Sequence, residues 1–189
     1  MKVAMRRNAT LVLAACLVMA SSAAAQTDQE IIDRAVLAAP ANARADATVV
    51  KWGTDGKRVV VRQGKNGLAC WDQAAWGHSR TPINVHCTAE AGLARVDQNR
   101  EFYAKASSRE EAEKAIQAAE KEGKRVPPVY GAGFYGLAGA DAATARGHVT
   151  IAVPFATSET LKIPSKPTAS SAWIMDAGTS GAHIMVPGH

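Results

Sequence analysis

Beyond residue 25 the sequence has no apolar run long enough to span a bilayer, which takes about 20 residues. It has no Lys/Arg run with interleaved aromatics, so nothing marks it as a nucleic-acid binder. It has no repeat at any period and no low-complexity tail, which sets solenoids and linkers aside. Methionine and cysteine are scarce. Past residue 25 only Met175 and Met185, and only Cys70 and Cys87, remain. No carboxylate pair stands out as an acid and a base in separated environments. Glu110, Glu111, Glu113, Glu120 and Glu122 follow a solvated helical spacing, and Asp72, beside Trp71, is the most isolated acid.

The first 25 residues lack acidic side chains altogether. Lys2, Arg6 and Arg7 precede the short apolar run "ATLVLAACLVMA", and small residues Ala23 and Ala25 follow it. This is the pattern of a secretory signal peptide, with cleavage expected after Ala25. "LAAC" at 13–16 also resembles a bacterial lipobox, in which Cys16 would carry a lipid anchor. The apolar run continues past Cys16, which favours ordinary cleavage. Either way the expected location is periplasmic or secreted. The expected organisation is residues 1–25 as signal and 26–189 as one domain, long enough to bury a core. The chain's +5 net charge falls to +2 past the signal, with 19 basic residues against 17 acidic ones. The overall basicity is therefore no electrostatic footprint.

Two cysteines in an oxidising compartment most simply pair, and Cys70–Cys87 is the expected disulfide. The competing reading is a Cys/His metal site, because His86 adjoins Cys87. Structural zinc wants paired short spacings, and no second pair exists.

Thr27 and Glu30 form a capping box before the stripe Ile31, Ile32, Ala35 and Val36, and Pro40 ends it, predicting a helix over 28–38. "ATVVKW", "KRVVVRQ" and "GLACW", separated by "GTDG" and "GKNG", predict a three-stranded meander over roughly 47–71. A loop over 72–84 follows, tied at its ends by the disulfide. Helical spacing of Leu93, Val96, Arg100 and Tyr103 predicts a helix from Thr88 to about Ala106. Ser108 and Glu111 cap the next, which ends at Gly123 and offers only Ala112, Ala115, Ile116 and Ala119 to a core. "HVTIAVP" predicts a strand, and 172–176 with 182–186 a closing hairpin. The fold class is α+β, a mainly antiparallel sheet with an N-terminal helix and two central helices.

"GAGFYG" at 131–136 matches G-x-G-x-x-G, but Pro127 and Pro128 precede it and no acid sits at the required distance. It reads instead as a strand or bulge where another backbone approaches closely. Asp176, Ser180 and His183 supply the residue types of a hydrolase triad, yet all three lie on one hairpin, where turn chemistry is the simpler explanation. His183 and Met185 are two apart on a strand and so share a face. Met175 lies on the opposing strand, and His148 opens the neighbouring apolar run. Thioether with imidazole suits copper, which soft ligands select. His189, beyond Pro187 and Gly188, falls outside this set.

"RGHVTIAVP" and "LKIPSKPTASSAWIMDAGTSGAHIMVP", together with "GKNGLACW" and "INVHC", resemble a family of small exported bacterial proteins of unknown function. That family closes with a W-[IV]-M…G-T…A-H-[IVL]-M-[IV]-P block. The resemblance covers residues 47–187 and departs at the Ala-rich helix of 108–123. It implies export, one domain and the Cys70–Cys87 pairing, and nothing catalytic. The His-x-Met ending is also similar to that of periplasmic copper chaperones. Those need a further His or Met well upstream, and here Met175 lies only eight residues before His183. The expected function is a non-catalytic binding or envelope-associated domain with no required cofactor. Soft-metal (copper) binding through His183, Met185, Met175 and His148 is the alternative, and a hydrolase the third.

Overall fold

The computed structural model describes residues 26–168 and 170–186. The signal sequence, Cys16 and His189 lie outside the described residues. One eight-stranded sheet organises the chain, in the order β2-β1-β3-β4-β5-β6-β8-β7. Its strands are β1 (Thr48–Trp52), β2 (Arg58–Arg62), β3 (Leu68–Asp72), β4 (Ile83–Ala89), β5 (Gly133–Gly139), β6 (Arg146–Ala152), β7 (Trp173–Met175) and β8 (His183–Val186). Every neighbouring pair is antiparallel except β1 and β3. The helices are α1 (Asp28–Ala35), α2 (Leu93–Lys105), α3 (Arg109–Lys121) and the short α4 (Ser158–Leu161). The fold is therefore α+β, as expected from strands, then helices, then strands.

Helix α1 starts where its capping box predicts. Thr27 Oγ1 accepts from the Glu30 amide at 3.3 Å, and the Glu30 carboxylate accepts from the Thr27 amide at 2.8 Å. The box at α3 is shifted by one residue. Ser108 Oγ accepts from the Glu111 amide, but the Glu111 carboxylate reaches back to the Ser107 amide at 2.7 Å.

The meander is corrected. The hairpin of β1 and β2 forms, but β3 pairs parallel with β1 on its far side, with Thr48 opposite Ala69. "GKNG" is a crossing, not a hairpin turn. Residues 63–67 pass round the start of β1, where the Lys65 amide donates to the Asp46 carbonyl at 2.8 Å. A Cβ on Gly64 would lie 2.3 Å from the Asp46 carbonyl oxygen and the Thr48 amide nitrogen. Glycine is there because two backbones touch.

The helix expected from Thr88 is also corrected. Ile83–Ala89 is a central strand, and α2 begins at Leu93. Strand pairing on both sides overrides the local pattern, since β4 hydrogen-bonds β3 and β5. Leu93, Val96 and Tyr103 are buried on α2, as their spacing predicts. Within the expected loop, residues Gln73–Trp76 form a 3-10 turn capped by Asp72, whose carboxylate accepts from the Ala74 amide at 2.8 Å.

Both sheet faces are covered, unevenly. On one face α2 and α3 pack over β1, β3 and β4, enclosing Val50, Ala69, Trp71, Trp76, Val96 and Ala112. On the other, α1 and the turn after it enclose Val49, Cys70 and Cys87. At the far end α4 and the following segment pack that second face against Ile174 and Ile184. Burying a side chain such as Trp71, 1% exposed, contributes roughly 3 kcal/mol of the driving force.

Candidate functional site on the closing hairpin

Cys70 and Cys87 stand directly opposite on β3 and β4 and form a disulfide, Cα–Cα 4.1 Å. The bond excludes the Cys/His metal reading by geometry. His86 and Cys87 are consecutive on a strand, so the imidazole and the sulfur emerge on opposite faces.

The closing hairpin forms as expected. In the β7–β8 register Met175 faces His183 and Trp173 faces Met185. In the β6–β8 register Met185 faces Thr150 and His183 faces Ala152. Cross-strand partners share a face. Trp173, Met175, His183 and Met185 thus form a two-by-two patch on the face that carries α2 and α3 elsewhere. Ile174 and Ile184 take the opposite face. None of the four belongs to a buried hydrophobic cluster among the described residues. Met175 is 43% exposed.

The turn before β8 orients His183. Its Nδ1 lies 2.8 Å from the Gly181 carbonyl oxygen. A carbonyl only accepts, so Nδ1 carries the hydrogen and the Nε2 lone pair of the neutral ring is left open. Asp176 Oδ2 stands 3.9 Å from the same Nδ1. Thr179 closes the turn, donating to the Asp176 carbonyl at 2.7 Å and accepting from the Gly181 amide at 3.1 Å.

Ser180 departs from the expected turn bonding. Its amide donates to Glu120 Oε1 at 2.6 Å, and its hydroxyl donates to Glu120 Oε2. Arg95 Nη1 donates to Ser180 Oγ at 3.1 Å. Burial pushes the Glu120 carboxyl up, but the Ser180 hydrogen bonds and the cations Arg95 and Arg125 outweigh it and hold it below the usual range. These contacts pin the turn to α2 and α3. They also take Ser180 away from His183, so Asp176, Ser180 and His183 are close without the serine–imidazole hydrogen bond a triad needs.

His148 and His183 lie on adjacent strands and one face, yet they do not meet. His183 faces Ala152, four residues from His148, which is about 13 Å along the strand. His148 instead lies over β5. It faces Gly136, and a Cβ there would come within 2.5 Å of His148 Cε1. The close approach expected at "GAGFYG" is real at Gly136, but a side chain makes it, not a backbone. Burial, then the charge of His183 further along the same face, lowers the His148 pKa.

His86 was missed as part of this row. It faces Gly136 from β4, so His86 and His148 flank one glycine. The His86 ring packs against Trp71 and Phe134, with centroids 5.8 and 5.3 Å away. Its Nε2 lies 2.9 Å from Asn84 Oδ1, while Nδ1 is buried without a partner among the described residues. Burial, with a smaller push from His148, drives its pKa down to about 4. The alternation Val85, His86, Cys87 on an apolar run was the available signal, obscured by reading the preceding residues as loop.

Asp72, the isolated acid, forms an ion pair with Arg34 as well as capping the 3-10 turn. Among the described residues no three His, Cys, Asp or Glu side chains converge as metal ligands, and no helix is long and apolar enough to cross a membrane. The hairpin offers one imidazole and two thioethers. Neither a family model, nor a curated protein, nor a solved structure matches the chain.

Proposed function

We propose that this protein is an exported, non-catalytic binding domain that takes a soft monovalent metal ion, copper(I) by preference, on the β7–β8 hairpin. The observation that carries the reading is the register: Met175 faces His183, and Met185 is two residues further on the same face. Two thioether sulfurs and one imidazole nitrogen are soft, neutral ligands of the kind that select Cu(I) over hard divalent ions. The Gly181 carbonyl supports the assignment of Nε2 as the ligating atom, because metal-bound histidines characteristically donate their other nitrogen to such a partner. The Ser180–Glu120–Arg95 contacts stiffen the turn and so hold the imidazole ready. The charged start, apolar run and small-residue pattern of residues 1–25 support export, as does the disulfide. His148 is left outside the ligand set.

Silver(I), a redox-inert soft ion, tests the reading without disturbing the disulfide. Titration into the native protein is expected to show one equivalent bound with a Kd well below about 1 µM. Met185→Leu, Met175→Leu and His183→Gln are each expected to weaken it by about tenfold or more. Affinity no tighter than micromolar, or an unchanged Met185→Leu protein, overturns the reading.

A further inference from the structure

At the opposite end of the sheet, α1, α2 and the 3-10 turn enclose a cavity of about 150 Å³ beside the carboxyl ends of β1 and β3. Its walls include Trp52, Trp76, Arg34, Lys51, Arg100 and Asp72. Three cations face one acid, and their pairings differ. Arg34 is paired with Asp72, and Lys51 with Asp28 at 3.1 Å. Arg100 has no hydrogen-bond or ion-pair partner among the described residues, although its Nε and Nη1 are out of contact with water. The Trp76 indole nitrogen is buried and unpartnered in the same way. Buried donors left without an acceptor are costly, and a guanidinium more so than a neutral group.

The aromatic walls are held in place. Trp52 and Trp76 meet edge to face with centroids 5.1 Å apart. Trp52 Nε1 donates to Asp97 at 2.9 Å, and Asp97 is itself gripped by Arg58 at 2.6 Å. A cavity of about 150 Å³ has room for one benzene-sized ring. Rigid indole walls, a partnerless guanidinium and room for one ring define a ligand: a flat apolar body bearing one carboxylate.

We propose that this cavity binds a small aryl carboxylate, its ring against Trp52 and Trp76 and its carboxylate on Arg100. The site is separate from the closing hairpin and stands whether or not the hairpin takes a metal. Size excludes nucleotides and extended peptides from full enclosure. The Arg34–Asp72 and Lys51–Asp28 pairs each cancel in charge, so Arg100 supplies the positive charge of the cavity.

Calorimetric titration of the native protein with benzoate, benzyl alcohol and inorganic phosphate tests the proposal. Benzoate is expected to bind saturably at one site with a Kd of about 1 mM or tighter. Benzyl alcohol, which keeps the ring, and phosphate, which keeps only the charge, are each expected to bind about tenfold more weakly or not at all. Arg100→Gln is expected to weaken benzoate about tenfold, whereas Arg146→Gln, at the exposed start of β6, leaves it unchanged. Absence of saturable benzoate binding overturns the proposal. So does benzyl alcohol or phosphate matching benzoate, or a folded Arg100→Gln protein that binds benzoate normally. The three-ligand comparison on the unaltered chain decides the matter even if Arg100→Gln fails to fold.

Discussion

One face of one sheet is used in two ways. Over β1, β3 and β4 it lies under α2 and α3, and its side chains Trp52 and Trp71, joined by Phe134 from β5, pack as aromatics with Trp76 of the 3-10 turn. Over β8 and β7 the same face carries Trp173, Met175, His183 and Met185, with no buried apolar cluster among the described residues above them. The two ends treat histidine accordingly. His86 is enclosed by rings, and burial holds it neutral. His183 is anchored through one nitrogen to the backbone and keeps the other open. A histidine's chemistry here depends on what lies over the sheet, since both sit on strands of one sheet and point to the same face.

The largest expected effect breaks the covered end. Trp71→Ala should cost about 3–5 kcal/mol in denaturant unfolding, because it empties a fully enclosed site. Trp173→Ala, on a half-buried edge strand, should cost well under half as much. Equal losses would mean that the open end is as tightly packed as the covered one.

Next is the disulfide. The Cys70→Ala/Cys87→Ala double variant should lose about 3 kcal/mol, the value for closing a loop of this length. The loss should appear in unfolding free energy while silver binding on the hairpin persists. Loss of both together would show that the two ends are coupled.

Acid should act through His86. Its pKa in the fold is about 4, below the 6.5 of an exposed imidazole, so the unfolded chain takes up the proton first. The contribution is fully present above pH 6.5, falls as pH drops from 6.5 to 4, and reaches roughly 3 kcal/mol of loss. Unfolding free energies across that window should flatten in His86→Gln. An unchanged slope would place the acid sensitivity elsewhere.

The smallest effect on stability belongs to Met175→Leu. At 43% exposure on an edge strand, a volume-conserving swap should shift the unfolding free energy by less than about 0.5 kcal/mol. The same protein should nevertheless lose silver affinity. A functional loss without a stability loss is what separates a ligand from packing.

The periodic signals that reported local physics were legible. The Thr27 capping box, the apolar face of α2, the closing hairpin and the His183/Met185 face all follow from side-chain chemistry within a few residues. "GKNG" misled because a glycine that permits a turn and a glycine that permits two backbones to touch look alike in a sequence. Residues 83–89 misled because hydrogen bonds to β3 and β5, formed by segments about 15 and 50 residues away, decide their conformation. The Arg100 cavity had no local signature, since α1, α2, β1 and the 3-10 turn each contribute one wall.

The sequence by itself determined the alternation that separates His86 from Cys87 and His183 from Ile184, because a strand's side chains point to opposite faces wherever it is placed. It also determined which cysteines had partners to choose from. Tertiary structure alone decided that β3 passes to the far side of β1, that His148 lies over Gly136 and away from His183, and that Arg100 faces a cavity with no partner among the described residues. Those outcomes depend on register and on what packs above each face. Both are set by contacts between distant segments, whose net free energy no local window of residues contains.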